Sequence, residues 1–161
     1  MDAEDIAKKI GEELKARKMM LATAESCTGG WVGQVLTSVP GSSHWFDRGF
    51  ITYTNNAKRQ MLDVSTDILA RYGAVSEQTA RAMAEGALTH SDAQLSLAIT
   101  GIAGPGGGTP EKPVGTVCFA WAMKDRDTQT KRLHIDGDRQ VVRSQAVIES
   151  LNGVLALFDD S

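Results

Sequence analysis

The sequence feature that most constrains the fold is a short apolar run that leads through a serine into a helical stripe. The run 19–24 is too short for a helix and is typical of a buried strand. The next residues, 25–30, read Glu-Ser-Cys-Thr-Gly-Gly. After them, apolar side chains recur at the spacing of a helix that packs on one face: Val32, Val35, Leu36 and Val39. A strand that passes directly into a helix in this way predicts an α/β fold.

Ser26 lies at this strand-to-helix corner and is a candidate nucleophile. The free N–H groups at the start of a helix favour an anion or a developing oxyanion, and Gly29 and Gly30 let a substrate approach the backbone closely. Cys27 is a second candidate nucleophile, because a helix N-terminus lowers the pKa of a thiol. The alternative is that Ser26 or Thr28 only caps the helix. The local sequence is compatible with both interpretations.

The rest of the chain continues this alternation of strands and helices. A length of 161 residues fits one domain, 1–161. Further strands are predicted at 46–54, 93–100, 114–123 and 128–135, with a possible bulge at Gly49. Amphipathic or capped segments predict helices near 6–17, 55–62, 66–72, 76–88 and 138–158, with Asn55 or Asn56 as the cap of the second of these. The one hairpin, 114–135, predicts a mixed sheet between helical layers.

Composition excludes several classes of function. A net charge of −3 and a pI near 5.6 argue against a dedicated nucleic-acid surface. Two cysteines are too few for a disulfide framework or a Cys-rich zinc site, and the three histidines are scattered, so no metal and no cofactor are predicted. The acidic N-terminus is unlike a signal peptide, and no apolar run of membrane-spanning length is evident. We therefore expect a cytoplasmic protein without a membrane partner.

Lys58 is the best candidate for a base beside Ser26, because a neutral lysine activates the serine in Ser–Lys hydrolases. Acting near pH 7 requires that its pKa fall by about three units, or roughly 4 kcal/mol, and burial or a neighbouring cation has to supply most of this fall. Tyr53 ends a predicted strand close by and is placed to orient the lysine or stack on a ring. The alternatives are a solvated surface lysine and a core tyrosine.

Three further residues are candidates for binding a ligand. Arg143 lies four residues before Val147 and so continues the inward stripe of the last helix, where an arginine suggests a phosphate or carboxylate ligand. The alternative is an arginine that extends to the rim of the core. Thr100 and Gly101 end a strand at the edge where open α/β sheets bind ligands. The long loop 101–113 that follows is rich in glycine and is of a length that is usually functional or mobile.

Taken together, four motifs resemble those of the CinA C-terminal domain family. They are Thr-Ala-Glu-Ser-Cys-Thr-Gly-Gly at 23–30, Tyr-Thr-Asn-Asn-Ala-Lys at 53–58, Ala-Ile-Thr-Gly-Ile-Ala-Gly-Pro-Gly-Gly at 98–107 and Lys-Pro-Val-Gly-Thr-Val at 112–117. The resemblance covers essentially the whole chain in order. It implies a three-layer α/β/α sandwich with a mixed sheet, a homodimer, and a stand-alone form of the domain.

The resemblance also implies an activity, since the characterised enzymes of the family are nicotinamide-nucleotide amidases. The reaction converts nicotinamide mononucleotide (NMN) and water into nicotinate mononucleotide and ammonia, within pyridine nucleotide recycling. The implied roles are Ser26 as nucleophile, Lys58 as base and Tyr53 nearby. For the oxyanion or phosphate we expect the N–H groups of 28–30 (Thr28, Gly29 and Gly30), and for the nucleotide Thr100, Gly101 and Arg143. The alternative is a non-catalytic module that binds a nucleotide in the same pocket.

Overall fold

The computed structural model describes residues 1–159, so positions 160 and 161 of the predicted domain lie outside the described residues. Five strands form one sheet in the order β2-β1-β3-β4-β5. Their bounds are β1 Leu21–Glu25, β2 Phe46–Ile51, β3 Leu95–Gly101, β4 Thr116–Met123 and β5 Gln129–His134. β1 runs parallel to both β2 and β3, whereas β4 pairs antiparallel with β3 and β5. The predicted mixed sheet is confirmed.

Helices cover both faces of this sheet. One face carries α1 Ala3–Arg17, α2 Trp31–Thr37 and α6 Arg139–Asp159, and the other carries α3 Asn55–Leu62, α4 Thr66–Tyr72 and α5 Glu77–Thr89. A short 3-10 turn, Ser42–His44, leads into β2. The chain is therefore a single-domain three-layer α/β/α sandwich, as the sequence predicts.

The two faces of the sheet differ in side-chain size, and this difference sets how closely each helical layer packs. In β4, Val117, Phe119 and Trp121 face α1, α2 and α6, whereas small side chains face α5. A Cβ atom added at Gly86 of α5 would collide with the backbone carbonyl of Leu62. Glycine at this position therefore allows α3 to lie directly against α5, which fixes the place of α3 beside the sheet.

Two local predictions are wrong for physical reasons. The irregularity in β2 lies at Asp47 and not at Gly49, because Asp47 is the residue without a pairing partner in β1. Gly49 serves a close approach instead, since an added Cβ would lie 2.7 Å from Thr23 Oγ1. The cap of α3 is Thr54, whose hydroxyl accepts a hydrogen bond from the Ala57 N–H at 3.0 Å, so neither Asn55 nor Asn56 is needed there.

Helix α6 departs from the prediction that no segment reaches membrane-spanning length. It has 21 residues and, by length and composition alone, is apolar enough to cross a membrane. Its apolar side chains are buried against the sheet and against α1, as in the core helix of a globular domain: Val142, Val147, Leu151, Val154 and Phe158. We attribute its apolar character to this packing.

Candidate active site

A cleft of about 290 Å³ opens at the carboxyl ends of β1 and β3. Ends of parallel strands are where open α/β sheets collect ligands, because helix starts and loops converge there. The wall between the two strands consists of Ser26, Cys27, Thr100 and Gly101. The remaining walls come from α3 and the segment before it, the α4–α5 connection, the glycine-rich loop and the start of α6; they include Tyr53, Asn55, Lys58, Ala74, Val75, Gly104, Gly106, Gly107 and Arg139.

Ser26 is held at the first position after β1. Its backbone N–H donates to the Ile99 carbonyl at 3.0 Å, which extends the sheet pairing to the corner itself. The chain then turns through Gly29 and Gly30, whose φ angles of +59° and +103° lie in the left-handed region that favours glycine. Ser26 is only 7% exposed and lines the cleft. The predicted strand-to-helix corner is present.

The Lys58 side chain extends to Ser26 from the helix that follows β2. It lies on α3, is 1% exposed, and its Nζ lies 3.1 Å from Ser26 Oγ and 3.1 Å from the Thr52 carbonyl, to which it donates. Burial lowers the pKa of the Lys58 amine below its ordinary value of 10.5, although the nearby Cys27 partly opposes this shift. The interpretation of Lys58 as a solvated surface lysine is therefore wrong.

Cys27 lies beside Ser26 but differs from it chemically. Burial raises the pKa of the Cys27 thiol to about 12, and the nearby Arg143 guanidinium opposes this rise only in part. The sequence-based expectation of a lowered pKa for this thiol is wrong, because burial is the largest influence on it and α2 begins only at Trp31, four residues later. A thiol with such a pKa is protonated at neutral pH. The neighbouring Ser26 hydroxyl contacts the Lys58 amine.

The start of α2 is not free to bind an anion from the cleft. Gly30 is the N-cap of α2, and neither Ser26 nor Thr28 caps this helix with its side chain. The carboxylate of Glu25 accepts hydrogen bonds from the N–H groups of Val32 and Gly33 at 2.9 and 3.1 Å, and from Thr28 Oγ1 at 2.6 Å. The sequence prediction of a helix start open to a ligand is wrong for these N–H groups, because the protein supplies its own anion.

Tyr53 stands at the rim of the cleft and is 59% exposed, so it is not a core tyrosine. Its hydroxyl accepts a hydrogen bond from Arg139 Nη2 at 3.1 Å, and Arg139 Nη1 donates to the Gly104 carbonyl at 2.8 Å. Arg139 thereby joins two walls of the cleft. The sequence-based site did not include Arg139, although its position four residues before Arg143 on the same helical stripe was a signal for it.

The other predicted binding residues fall into two groups. Thr100 and Gly101 line the cleft: Thr100 Oγ1 donates to the Ala74 carbonyl at 2.8 Å, and a Cβ at Gly101 would lie 3.1 Å from Cys27 Sγ. Arg143 lies outside the cleft lining. Its Nε and Nη2 donate to the carbonyls of Cys27 and Thr28 at 3.0 and 3.4 Å, and its guanidinium lies 5.4 Å from the ring centroid of Trp31.

Thr28, Gly29 and Gly30 form the turn behind Ser26 and also lie outside the cleft lining. The Gly29 N–H donates to the Ser26 carbonyl at 3.0 Å, which closes this turn. Within residues 1–159, no group of three or more His, Cys, Asp and Glu side chains is arranged to hold a metal ion. The side chains that line the cleft in this part of the chain include the Ser26 hydroxyl, the buried Lys58 amine and the Arg139 guanidinium.

Comparison with known proteins identifies relatives over nearly the full length. The model of the CinA C-terminal domain family matches residues 3–158. The chain is 51% identical to the nicotinamide-nucleotide amidohydrolase PncC of Escherichia coli, over 95% of this chain and 93% of that protein. It is also 51% identical to a putative competence-damage inducible protein of Symbiobacterium thermophilum, but spans only 37% of the length of that relative.

Solved structures also include relatives that match nearly the whole chain. The competence/damage inducible protein CihA of Agrobacterium tumefaciens has a TM-score of 0.94 and 46% sequence identity, covering 98% of this chain and 96% of that one. A CinA superfamily protein of Escherichia coli has a TM-score of 0.93 and 41% identity, covering 96% and 90% of the two chains. The layered architecture described above is therefore shared with these proteins.

Proposed function

Because the chain belongs to the CinA C-terminal domain family, we propose that it is an amidohydrolase that converts NMN and water into nicotinate mononucleotide and ammonia. The PncC relatives, 45–51% identical over nearly the full chain, carry the name nicotinamide-nucleotide amidohydrolase. The observation that carries the proposal is the 3.1 Å contact between Ser26 Oγ and the buried Lys58 amine, both of which line the cleft. A hydroxyl next to a desolvated amine is the arrangement that a Ser–Lys hydrolase requires.

In the first half of the reaction, Ser26 Oγ attacks the carboxamide carbon while its proton passes to the neutral Lys58 amine. Burial favours the neutral form of this amine, and the Thr52 carbonyl orients it. The tetrahedral intermediate collapses as the Lys58 ammonium returns the proton to the leaving nitrogen. The C–N bond breaks, ammonia leaves, and the acyl group stays on Ser26 as an ester.

In the second half, a water molecule attacks this ester, with Lys58 as its base. The proton then passes from Lys58 to Ser26 Oγ as the C–O bond to the serine breaks. The product is the carboxylic acid of nicotinate mononucleotide, which ionises to the carboxylate and gives its proton to solvent. Both halves need one group that accepts and returns a proton at the same place, and an amine held between Ser26 Oγ and the Thr52 carbonyl meets this need.

For substrate binding, we propose that Arg139 and Tyr53 receive the phosphate side of the nucleotide, because Arg139 is the guanidinium in the cleft lining. Thr100 and Gly101 form the wall nearest Ser26. The roles of Thr28, Gly29 and Gly30 at the oxyanion or phosphate, and of Arg143 at the nucleotide, stay predictions. The contacts of Arg143 with the carbonyls of Cys27 and Thr28 favour a role in holding the nucleophile turn.

Two parts of the proposal rest on the family resemblance. They are a place in pyridine nucleotide recycling and a homodimeric assembly. A cytoplasmic location, which the composition predicts, is proposed as well. The alternative of a binding module without catalysis has no use for a buried amine beside a hydroxyl, since burial of that amine costs free energy. Release of ammonia from NMN by the purified protein in excess chelator tests the proposed activity, and a bound but uncleaved nucleotide would support the binding module.

A further inference from the structure

Glu25 is a buried carboxylate that the proposed reaction does not use. It is the last residue of β1, directly precedes Ser26, and is 2% exposed. A carboxylate removed from water is costly unless charge-assisted hydrogen bonds and a favourable dipole replace its hydration. Glu25 has both, because two N–H groups at the start of α2 and the Thr28 hydroxyl donate to it.

These contacts connect the two ends of the turn that carries the nucleophile. The Glu25 side chain holds Thr28 and the first turn of α2, on the far side of Ser26. The Glu25 backbone carbonyl accepts a hydrogen bond from the Thr52 N–H at 2.8 Å, and the Thr52 carbonyl in turn receives the Lys58 amine. One residue therefore contacts both the turn of Ser26 and the segment that orients Lys58.

Arg143 holds the same turn from the other side. It donates to the carbonyls of Cys27 and Thr28, whereas Glu25 accepts from the Thr28 hydroxyl and from the N–H groups beyond it. The Glu25 carboxylate thus binds hydrogen-bond donors of the segment 26–33, and the Arg143 guanidinium binds carbonyl acceptors of the same segment. We propose that Glu25 is a positioning residue that keeps Ser26 Oγ within reach of Lys58 by holding the turn 26–30 against the start of α2. This inference rests on the proposed function.

The test compares three variants with the wild-type protein. Glu25→Gln keeps the shape of the side chain but replaces one of its two accepting oxygens by an amide NH₂ group, which cannot accept the hydrogen bonds made to that oxygen. Thr28→Val removes the hydroxyl group that donates a hydrogen bond to Glu25 Oε1. Ser96→Ala is the matched control. Ser96 lies on β3, next to β1 in the sheet, and its buried Oγ donates a hydrogen bond of 2.6 Å to the Ala84 carbonyl of α5, away from the cleft.

We expect Glu25→Gln to lower kcat for NMN by about 10- to 100-fold, because small misplacements of a reacting group have effects of this order. KM changes by less than about threefold, since the residue does not touch the cleft. Amide hydrogen exchange across 26–33 accelerates, and exchange in β3 does not. Thr28→Val gives the same pattern with a smaller amplitude, and Ser96→Ala lowers the thermal midpoint without lowering kcat per folded molecule.

Three outcomes would overturn the inference. Exchange in 26–33 that stays at the wild-type rate in Glu25→Gln shows that the carboxylate does not hold the turn. Faster exchange with an unchanged kcat shows that the turn does not position Ser26. A fall in kcat that Ser96→Ala reproduces at equal loss of stability assigns Glu25 a merely structural role. If the wild-type protein releases no ammonia from NMN, the proposed function fails; the exchange result, and the rate at which a fluorophosphonate labels Ser26, still decide on Glu25.

Discussion

Lys58 Nζ lies 3.1 Å from Ser26 Oγ although 32 residues separate them in the chain. The proximity follows from the parallel pairing of β1 and β2, in which Glu25 lies beside Ile51. Because the two strands end at the same edge, the residue after β1 and the helix after β2 meet there. The corner that carries Ser26 and the helix that carries Lys58 are therefore brought together by the sheet itself.

The pH dependence of the reaction reports on Lys58. A protonated amine accepts no proton, so kcat/KM is low at acidic pH and rises as Lys58 loses its proton. Because burial lowers the pKa of Lys58, we expect this rise to be centred below pH 10.5. Lys58→Arg, which stays charged, lacks the rise and loses about a thousandfold or more in kcat/KM. A wild-type profile centred at or above pH 10.5 contradicts the burial argument.

Replacement of Cys27 separates the two nucleophiles. Since burial raises the pKa of the Cys27 thiol to about 12, it is protonated at neutral pH. We expect Cys27→Ala to retain kcat within about tenfold, the loss coming only from packing against the cleft. Labelling of the native wild-type protein by iodoacetamide at pH 7 should be slow. An inactive, folded Cys27→Ala protein together with an active Ser26→Ala protein would assign the reaction to the thiol.

The two arginines of α6 should differ in their kinetic effects. Arg139 lines the cleft, so Arg139→Ala should raise KM for NMN by about 10-fold or more, as expected for a lost charge-assisted contact. Arg143 holds the carbonyls of Cys27 and Thr28, so Arg143→Ala should mainly lower kcat. Steady-state kinetics of both variants provide the comparison. A raised KM in Arg143→Ala with an unchanged kcat would instead support its predicted contact with the nucleotide.

Much of the fold follows from local patterns. Short stretches of sequence are enough to predict the stripe of α6, the strand β4 and the start of α5 near Ser76. The errors occur where a tertiary contact decides. Gly49 has the signature of a bulge, yet its backbone is needed next to Thr23, and only the pairing of β1 with β2 reveals this need.

The sequence predicts which chemical groups belong to the candidate site, but not which hydrogen bonds connect them. A serine after a strand and a lysine at a helix start are visible in the sequence, and so is the arginine stripe of α6. The choice between Arg139 and Arg143 depends on how α6 is rotated against the sheet, which its periodicity does not resolve to one turn. The bond from Glu25 to the start of α2 was also missed, because a carboxylate at the end of a buried strand carries no local capping pattern.

The central claim is that the Lys58 amine activates the Ser26 hydroxyl. The most direct measurement is the rate of ammonia release from NMN, in excess EDTA, by the wild-type protein and by Ser26→Ala and Lys58→Met variants with wild-type circular dichroism. We expect the wild-type protein to turn over in the chelator and each variant to be slower by about a thousandfold or more, with a double variant no slower than either. A folded Ser26→Ala or Lys58→Met protein that releases ammonia at the wild-type rate would contradict the claim.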